Sequence, residues 1–340
     1  MKALKSLLCV AVLSLAATTG AFAQGASDYP NKPVRVIVPW APGGPADIIA
    51  RIIAQKLSDE LGKQFYVENH AGAGGNLGAG VAARATPDGY SLMFTSQVNV
   101  INPHLYKSVP YDHFKDFQQV TRIATSPNVL VVHPSVPAKT VKELVELIRK
   151  EPNKYTGYAQ PGLGTSAHLS GELFRLTLNL DLPSIPFSGG GPMIQSVVAG
   201  HTPVAFSSMP PAAAQIQAGT LRALAVTGEK RIDSLPGIPT MIEAGYPGQT
   251  GETPVGIFVQ TGTPKEVGEI IRAKVVKIIA MPDVKAKLAS VGFVPIGDTP
   301  EEFTAYLKAE GEKWGKVIRD GKITIDRKST RLNSSHIPLS

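Results

Sequence analysis

The feature that most limits what this chain can fold into is a regular alternation. Short runs rich in β-branched and aromatic residues, bounded by Gly, Pro or Asn, take turns with segments whose apolar residues recur at helical spacing. Val34–Val38, Phe65–Glu68, Ser91–Thr95, Val129–His133, Tyr155–Ala159, Pro203–Phe206, Leu221–Val226 and Gly256–Val259 read as strands. Between the first two, Ile48, Ile49, Ile52, Ile53, Leu57 and Leu61 share one helix face, and Gly62 supplies the stop. Three later helices are announced by a Thr-x-x-Glu capping box, at Thr140 to Glu143, Thr263 to Glu266 and Thr299 to Glu302. In the last two, Pro264 and Pro300 fall at the first helical position, where a missing N–H costs nothing. This order predicts an α/β fold with a largely parallel sheet and helices on both faces. Such sheets bind ligands at the carboxyl ends of strands, where loops enter helix N-termini.

The two ends of the chain stand outside that pattern. Met1 to Ala23 reads as a secretory signal peptide (1–23): Lys2 and Lys5 precede the apolar run Leu7 to Ala17, too short to span a bilayer, and Ala21-Phe22-Ala23 forms the cleavage site. Cys9 is the single cysteine and lies within that run, so the mature chain is held by its core without a disulfide. From Ile323 the periodicity stops, and 323–340 reads as a tail that is disordered or foreign to the fold. The formal charge of +7 shrinks accordingly. Lys2 and Lys5 carry two of it, and Arg327, Lys328 and Arg331 against Asp326 carry two more. The remainder is mild, with no basic run and no aromatic-interleaved patch, so no nucleic-acid partner is expected; a modest bias toward anions remains. With 43% hydrophobic and 18% charged residues, a disordered chain is excluded.

Function is sought in the strand-to-helix loops. The first runs Val38-Pro39-Trp40-Ala41-Pro42-Gly43-Gly44-Pro45-Ala46-Asp47. Its glycines let backbone approach a ligand, and the helix start offers free N–H groups and a partial positive charge, which together make an anion site. Pro45 removes one donor, leaving the amides of Gly43, Gly44, Ala46 and Asp47; the Asp47 carboxylate would brace the loop. The alternative is an ordinary tight βα turn. The second loop is Ala159-Gln160-Pro161-Gly162-Leu163-Gly164-Thr165-Ser166-Ala167-His168. Thr165 or Ser166 caps the following helix, and the other hydroxyl and His168 are candidates to face a ligand, although a lone His is more often a hydrogen-bonded structural residue. The third, Phe187-Ser188-Gly189-Gly190-Gly191-Pro192, again places small residues before a helix. The fourth, Gly72-Ala73-Gly74-Gly75-Asn76-Leu77-Gly78, has Leu77 where a dinucleotide fingerprint needs Gly, so close packing is the better reason for its glycines.

Catalytic patterns are missing: there is no H-E-x-x-H, G-x-S-x-G or P-loop, and the seven His are scattered without metal-ligand spacing. No catalytic residue, metal or cofactor is expected. Two classes remain. One is a protein that binds a ligand through these loops without transforming it; the other is a secreted or periplasmic enzyme using the same loops. A receptor linked to a signalling kinase is a variant of the first. The loops favour binding, being rich in donors and poor in titratable groups.

These stretches, in this order, resemble the Bug family, the extracytoplasmic solute-binding receptors of tripartite tricarboxylate transporters. The likeness is carried by Tyr29-Pro30-Asn31-Lys32-Pro33-Val34-Arg35, the Pro-Gly-Gly loop with Asp47, and Val67-Glu68-Asn69 followed by Gly72-Ala73-Gly74-Gly75-Asn76. It continues through Pro87-Asp88-Gly89-Tyr90, Ile101-Asn102-Pro103, Gly164 to Glu172, Gly219 to Thr227, Pro239-Thr240-Met241 with Glu243-Ala244-Gly245, and Lys313 to Ile318. The resemblance implies a type II periplasmic-binding-protein fold, two α/β domains joined by two crossover strands around a ligand cleft. Domain 1 would comprise 24–124 plus 226–322 and domain 2 125–225, with crossings near Val120–Ala124 and Leu224–Thr227.

It also implies a periplasmic monomer that holds a small carboxylate and works with the membrane subunits of the transporter. In the family, the Gly-Gly and Gly-Thr-Ser loops grip a carboxylate from opposite sides, which points to Gly43, Gly44, Gly164, Thr165 and Ser166; Trp40, Asp47, His168, Ser188 and Gly189 join them from the loops. Two departures matter. Pro45 stands where relatives commonly place Ser or Thr, and Ser207 and Ser208 stand where they often have an acid. Without that acid, ligands bearing an amino group are disfavoured, and a plain di- or tricarboxylate or an aromatic carboxylate is expected, with Ser207 and Ser208 facing it.

Overall fold

A computed structural model describes residues 28–233 and 235–323. The expected signal peptide, Cys9 and residues 324–340 lie outside the described residues. The chain opens with β1 (Val34–Val38), α1 (Pro45–Leu61), β2 (Phe65–Asn69), α2 (Asn76–Ala83), β3 (Ser91–Thr95) and α3 (Val98–Leu105). β1 lies between β2 and β3, parallel to both. Helix α1 buries Ile49, Ile52, Ile53 and Leu57 against them and stops at Gly62, whose φ of 68° is left-handed and whose N–H returns to the Ser58 carbonyl.

The next strand, β4 (Phe117–Val132), is 16 residues long. It takes in both the expected strand at Val129–His133, up to Val132, and the crossing expected near Val120–Ala124, with Pro127 between them. The proline is tolerated because it marks a change of partner rather than an end. Up to Pro127, β4 runs antiparallel to β9 (Glu252–Gln260); from Asn128 onward it runs antiparallel to β7 (Val204–Ser208) and β8 (Arg222–Val226). Beyond β4 come α4 (Val141–Lys150), β5 (Tyr158–Gln160), α5 (Ser166–Thr177), β6 (Ser184–Pro186), α6 (Gly190–Val198) and α7 (Met209–Gln217). After β9 follow α8 (Lys265–Ala280), α9 (Pro282–Ser290), β10 (Val294–Pro295) and α10 (Pro300–Asp320).

The sheet order β2-β1-β3-β9-β4-β7-β5-β6 thus holds two parallel halves, β2-β1-β3 and β6-β5-β7, joined through the antiparallel pair β4 and β9. Each half carries apolar clusters on both faces, as the alternation required. Those of the first half centre on Val36, Ile53 and Ile271 and on Ile37, Phe258 and Trp314; those of the second centre on Leu130, Phe174 and Phe206 and on Val131, Met193 and Met209. The halves are the two lobes of the molecule.

Four expectations need correction. The sheet is mixed rather than largely parallel, because the crossing strands run against both halves. Leu224–Thr227 does not cross: β8 stays beside Val129–Val132, Met241 and Tyr246 of the segment that follows pack on the second lobe, and the chain rejoins β4's first part at Glu252. Ile323 belongs to the fold rather than to the tail, for it is 8% exposed in the cluster of Trp314 and its N–H reaches the Ile318 carbonyl. Thr299 forms the full capping box with Glu302, and Thr140 accepts from the Glu143 amide. Thr263 caps nothing, since α8 starts one residue later than expected, with Pro264 as its N-cap. No helix among the described residues is long and apolar enough to cross a membrane.

Gly256 in β9 shows how tightly α10 is seated: a Cβ there would overlap the ring of Phe303, which is 1% exposed, and approach the Thr121 carbonyl to 3.1 Å. Gly256→Ala is expected to lower stability by about 1–3 kcal/mol, read as a fall in the urea midpoint. An unchanged midpoint would mean that α10 retreats without cost.

Candidate functional site

Four helices begin at the same place. The N-cap residues of α1, α5, α6 and α7 are Gly44, Thr165, Gly189 and Ser208, and all four line one cavity between the lobes. Each of these helices follows the carboxyl end of a strand, and each loop is built from residues that permit an abrupt entry.

In the first loop, Gly43 takes a φ of 83°, which favours glycine. Its N–H donates to Asp47 Oδ2 at 2.9 Å. The same carboxylate accepts from Arg51 Nε and Nη2 at 3.0 and 2.9 Å and from Asn69 Nδ2 at 2.9 Å. Asn69 Nδ2 also donates to the Trp40 carbonyl. Burial works to raise the Asp47 pKa, but the hydrogen bonds from Arg51, Gly43 and Asn69 outweigh it and hold the carboxyl below its usual range. Asp47 is therefore a charged brace whose partners are all internal, and the Gly43 amide is spent on it.

In the second loop, Thr165 Oγ1 accepts from the His168 amide and donates to the Gly162 carbonyl. The Gly164 N–H donates to His168 Nδ1 at 3.2 Å. Full burial pushes the His168 pKa down to about 4, so the ring is neutral and serves as an acceptor that shapes the loop.

The loops meet across the lobes. The Ala41 N–H donates to the Ser188 carbonyl at 3.4 Å, and a Cβ on Gly191 would come within 2.6 Å of the Pro42 carbonyl. The Trp40 indole is slotted between a glycine of each lobe: a Cβ on Gly75 would lie 3.1 Å from Cζ2, and one on Gly162 2.9 Å from Cζ3. Only glycine leaves room for the ring on either side.

The cavity they enclose is about 30 Å³ and is lined by no charged side chain. Trp40, Gly44, Pro45 and Ala46 come from the start of α1, and Pro161, Thr165 and Ala167 from the start of α5. Gly189, Gly190 and Ser208 come from the next two helix starts, and Ser96, Thr253 and Val255 from the sheet. The amides of Ala46, Asp47, Ser166, Ala167, Gly190 and Gly191 find no acceptor among the described residues. Converging free amides and helix dipoles make the cavity positive without a cation, the condition for holding an anion.

Of the residues singled out on the sequence, Trp40, Gly44, Thr165, Gly189 and Ser208 line the cavity, and the rest stand behind it. Gly43 and Asp47 brace one another. Gly164 and His168 do the same, with a Cβ on Gly164 falling 2.5 Å from Asn102 Oδ1 of the other lobe. Ser166 Oγ accepts from Asn128 Nδ2 at 2.8 Å. Ser188 is exposed and contributes only its carbonyl. Ser207 Oγ turns to the Ser208 carbonyl, because alternation along β7 sends the two serines to opposite faces. Ser96, one residue past β3, was findable by the same strand-end rule; Thr253 and Val255 were not, since they sit on a strand that enters the site from its amino end.

A larger hollow of about 580 Å³ opens on the other face of β4 and β9, lined by Thr125, Pro127 and Glu252 and by charged residues of both signs. Several of these are already paired, as Arg231 is with Glu243 and Lys313 with Glu310, and no helix N-cap lines it. Among the described residues no group of three or more His, Cys, Asp or Glu could hold a metal ion.

Comparison with known proteins gives a consistent picture. Residues 49–323 match the family described as the tripartite tricarboxylate transporter family receptor. The chain is 36% identical over 320 residues to the UPF0065 protein in the tcbD-tcbE intergenic region of Pseudomonas sp. (strain P51), covering 94% of this chain and 95% of that one. It is 31% identical to BugT of Bordetella pertussis, covering 89% and 94%. Among solved structures, one described as a periplasmic transporter is 40% identical with a TM-score of 0.85, covering 88% of this chain and 100% of its own. A Rhodopseudomonas palustris protein solved with adipate is 31% identical, TM-score 0.84, covering 87% and 100%. A second from that organism, with bound malate, is 29% identical, TM-score 0.79, covering 85% and 100%.

The two buried histidines yield a pH prediction. Burial lowers both His168 and His113 from about 6.5 to about 4. The unfolded chain therefore takes up these protons first as pH falls, so the stability is fully present above pH 6.5 and declines toward pH 4 by about 3 kcal/mol per residue. Urea unfolding at several pH values is expected to show this decline, with a shallower slope in His168→Asn. Equal slopes in the two proteins would mean that His168 titrates normally.

Proposed function

The chain belongs to the tripartite tricarboxylate transporter receptor family, and from that premise we propose that it works in the periplasm, capturing a small carboxylate between its lobes and delivering it to the membrane subunits of such a transporter. The observation that carries this reading is the set of four helix N-termini around a cavity without charged side chains. Gly44 and Ala46 stand on one lobe and Thr165, Ala167, Gly189, Gly190 and Ser208 on the other, so an anion held there bridges the two. A hydrogen bond to a charged group contributes roughly 1.5–3 kcal/mol, so four amides supply about 6–12 kcal/mol before ordering costs. Micromolar affinity needs about 8 kcal/mol.

The cavity is too small for a dicarboxylate as it stands, so entry requires the lobes to part about β4 and β9 and close again on the guest. The likeness to proteins solved with adipate and with malate supports a carboxylate. The lining narrows its type. Ser208 stands at the cavity where an acid would have been needed to pair an ammonium, and Trp40, Pro45, Pro161, Ala167 and Val255 offer apolar contact to a hydrocarbon body. The favoured guest is a plain or hydroxylated carboxylate rather than an amino acid. A receptor, not an enzyme, fits the rest of the site, for Asp47 is locked in its ion pair and His168 is turned into its own loop.

A thermal-shift screen tests the reading. Adipate, malate or benzoate at 100-fold over Kd is expected to add about 2.7 kcal/mol of stability, and aspartate much less. Equal stabilisation by aspartate, or a preference for a neutral sugar, would contradict it. Gly44→Val is a second test. Gly44 has an ordinary φ of −83° and a Cβ there would sit 3.8 Å from the Gly190 amide, so the variant is expected to fold and to lose binding at least 100-fold. Retained affinity would take this loop out of the site.

A further inference from the structure

Behind the cavity lies a polar cluster that the carboxylate contacts do not use. Asn128 is fully buried at the residue where β4 leaves β9 for β7. Its Nδ2 donates its two hydrogens to Ser166 Oγ at 2.8 Å and Ser170 Oγ at 3.1 Å, and the Gly251 carbonyl stands 3.4 Å away. Its Oδ1 accepts from Thr253 Oγ1 at 2.8 Å. Its backbone N–H donates to Thr227 Oγ1 at 3.0 Å, and Thr227 Oγ1 in turn donates to the Gly251 carbonyl. One side chain thus joins the outgoing crossing, the return crossing and the first turn of α5.

We infer that Asn128 is the positioning residue that ties the start of α5 to the return strand β9 and so sets how the second lobe presents its amides to the guest; the inference rests on the carboxylate reading above. Asn128 does not itself line the cavity, but both elements it joins do. Thr165, beside Ser166, caps α5 at the cavity, and Thr253 lines it from β9. An amide suits the place because it donates twice and accepts once in fixed directions. An apolar side chain of the same size would leave three buried hydroxyls to find new partners, and α5 would be free to settle elsewhere. The position is also where the two lobes share a strand, so a link there survives rotation of one lobe against the other.

The test uses the full chain, adipate as the probe, and the variants Asn128→Ala and Asn128→Asp. In N128A, adipate affinity is expected to fall about tenfold, the worth of one good hydrogen bond, although every cavity-lining residue is intact. Hydrogen exchange is expected to quicken at the amides of His168 and Leu169 and in the following turn of α5, with β1 and β2 unchanged. N128D keeps the shape and lets the serine hydroxyls turn to donate, so α5 exchange stays as in the wild type. It places a negative charge beside the same helix start, so its adipate affinity is expected to be weak at neutral pH and to recover as pH falls, a trend the wild type lacks. Wild-type affinity together with wild-type α5 exchange in N128A would overturn the assignment, and so would a pH-independent affinity in N128D. The exchange readout needs no ligand, so it decides the role of Asn128 even if the wild type ignores adipate, a result that would count against the carboxylate reading alone.

Discussion

The first turn of a helix carries backbone N–H groups that nothing inside the helix can accept, and water or a ligand must take them. This protein brings three such turns, those of α1, α5 and α6, to one cavity, adds the start of α7, where Pro210 and Pro211 carry no N–H, and keeps cationic side chains out of the lining. The choice has a cost in geometry. Gly43 must adopt a left-handed φ, and Gly75, Gly162, Gly189 and Gly191 must lack side chains so that the loops and the Trp40 ring can interleave. It also has a benefit, since amides do not titrate. A grip built from them holds its charge complementarity across the pH range, and the guest is chosen by its own charge and by the fit of its body against Trp40, Pro161 and Val255.

Those helix starts converge only because one strand serves both lobes. β4 gives its first part to β9 and its last to β7 and β8, and the switch at Pro127 and Asn128 lets the two parallel halves face one another. Alternation along the crossing strands assigns one face, with Thr253 and Val255, to the cavity and the other, with Thr125, Pro127 and Glu252, to the open hollow behind it. A rotation that tightens one side must loosen the other.

Much of this was legible in local chemistry. β1, β3 and α1 are written in apolar periodicity, and the glycine-rich entries to α1, α5 and α6 announce themselves by composition. The rest depended on tertiary partners. The continuity of β4 through Pro127 shows only once its exchange of neighbours is seen. Thr263 looks like a cap, yet α8 starts one residue late. The Gly43 amide reads as a ligand donor, but Asp47, steadied by Arg51 and Asn69 from elsewhere on the lobe, takes it first. Ser207 and Ser208 differ only by the pleat that turns one toward the cavity and the other away. Asn128 carries no motif at all, and its role appears only when three distant segments, at Ser166–Ser170, Thr227 and Gly251–Thr253, are brought around it.

The central claim is that main-chain amides from both lobes seize the anion directly. A crystal structure of the protein grown with a dicarboxylate tests it most plainly. The account predicts carboxylate oxygens at about 3 Å from the amides of Ala46 on one side and of Ala167 or Gly190 on the other, with no lysine or arginine in contact. A carboxylate held by a cationic side chain, or seated in the hollow beside Glu252 and Lys313, would contradict it.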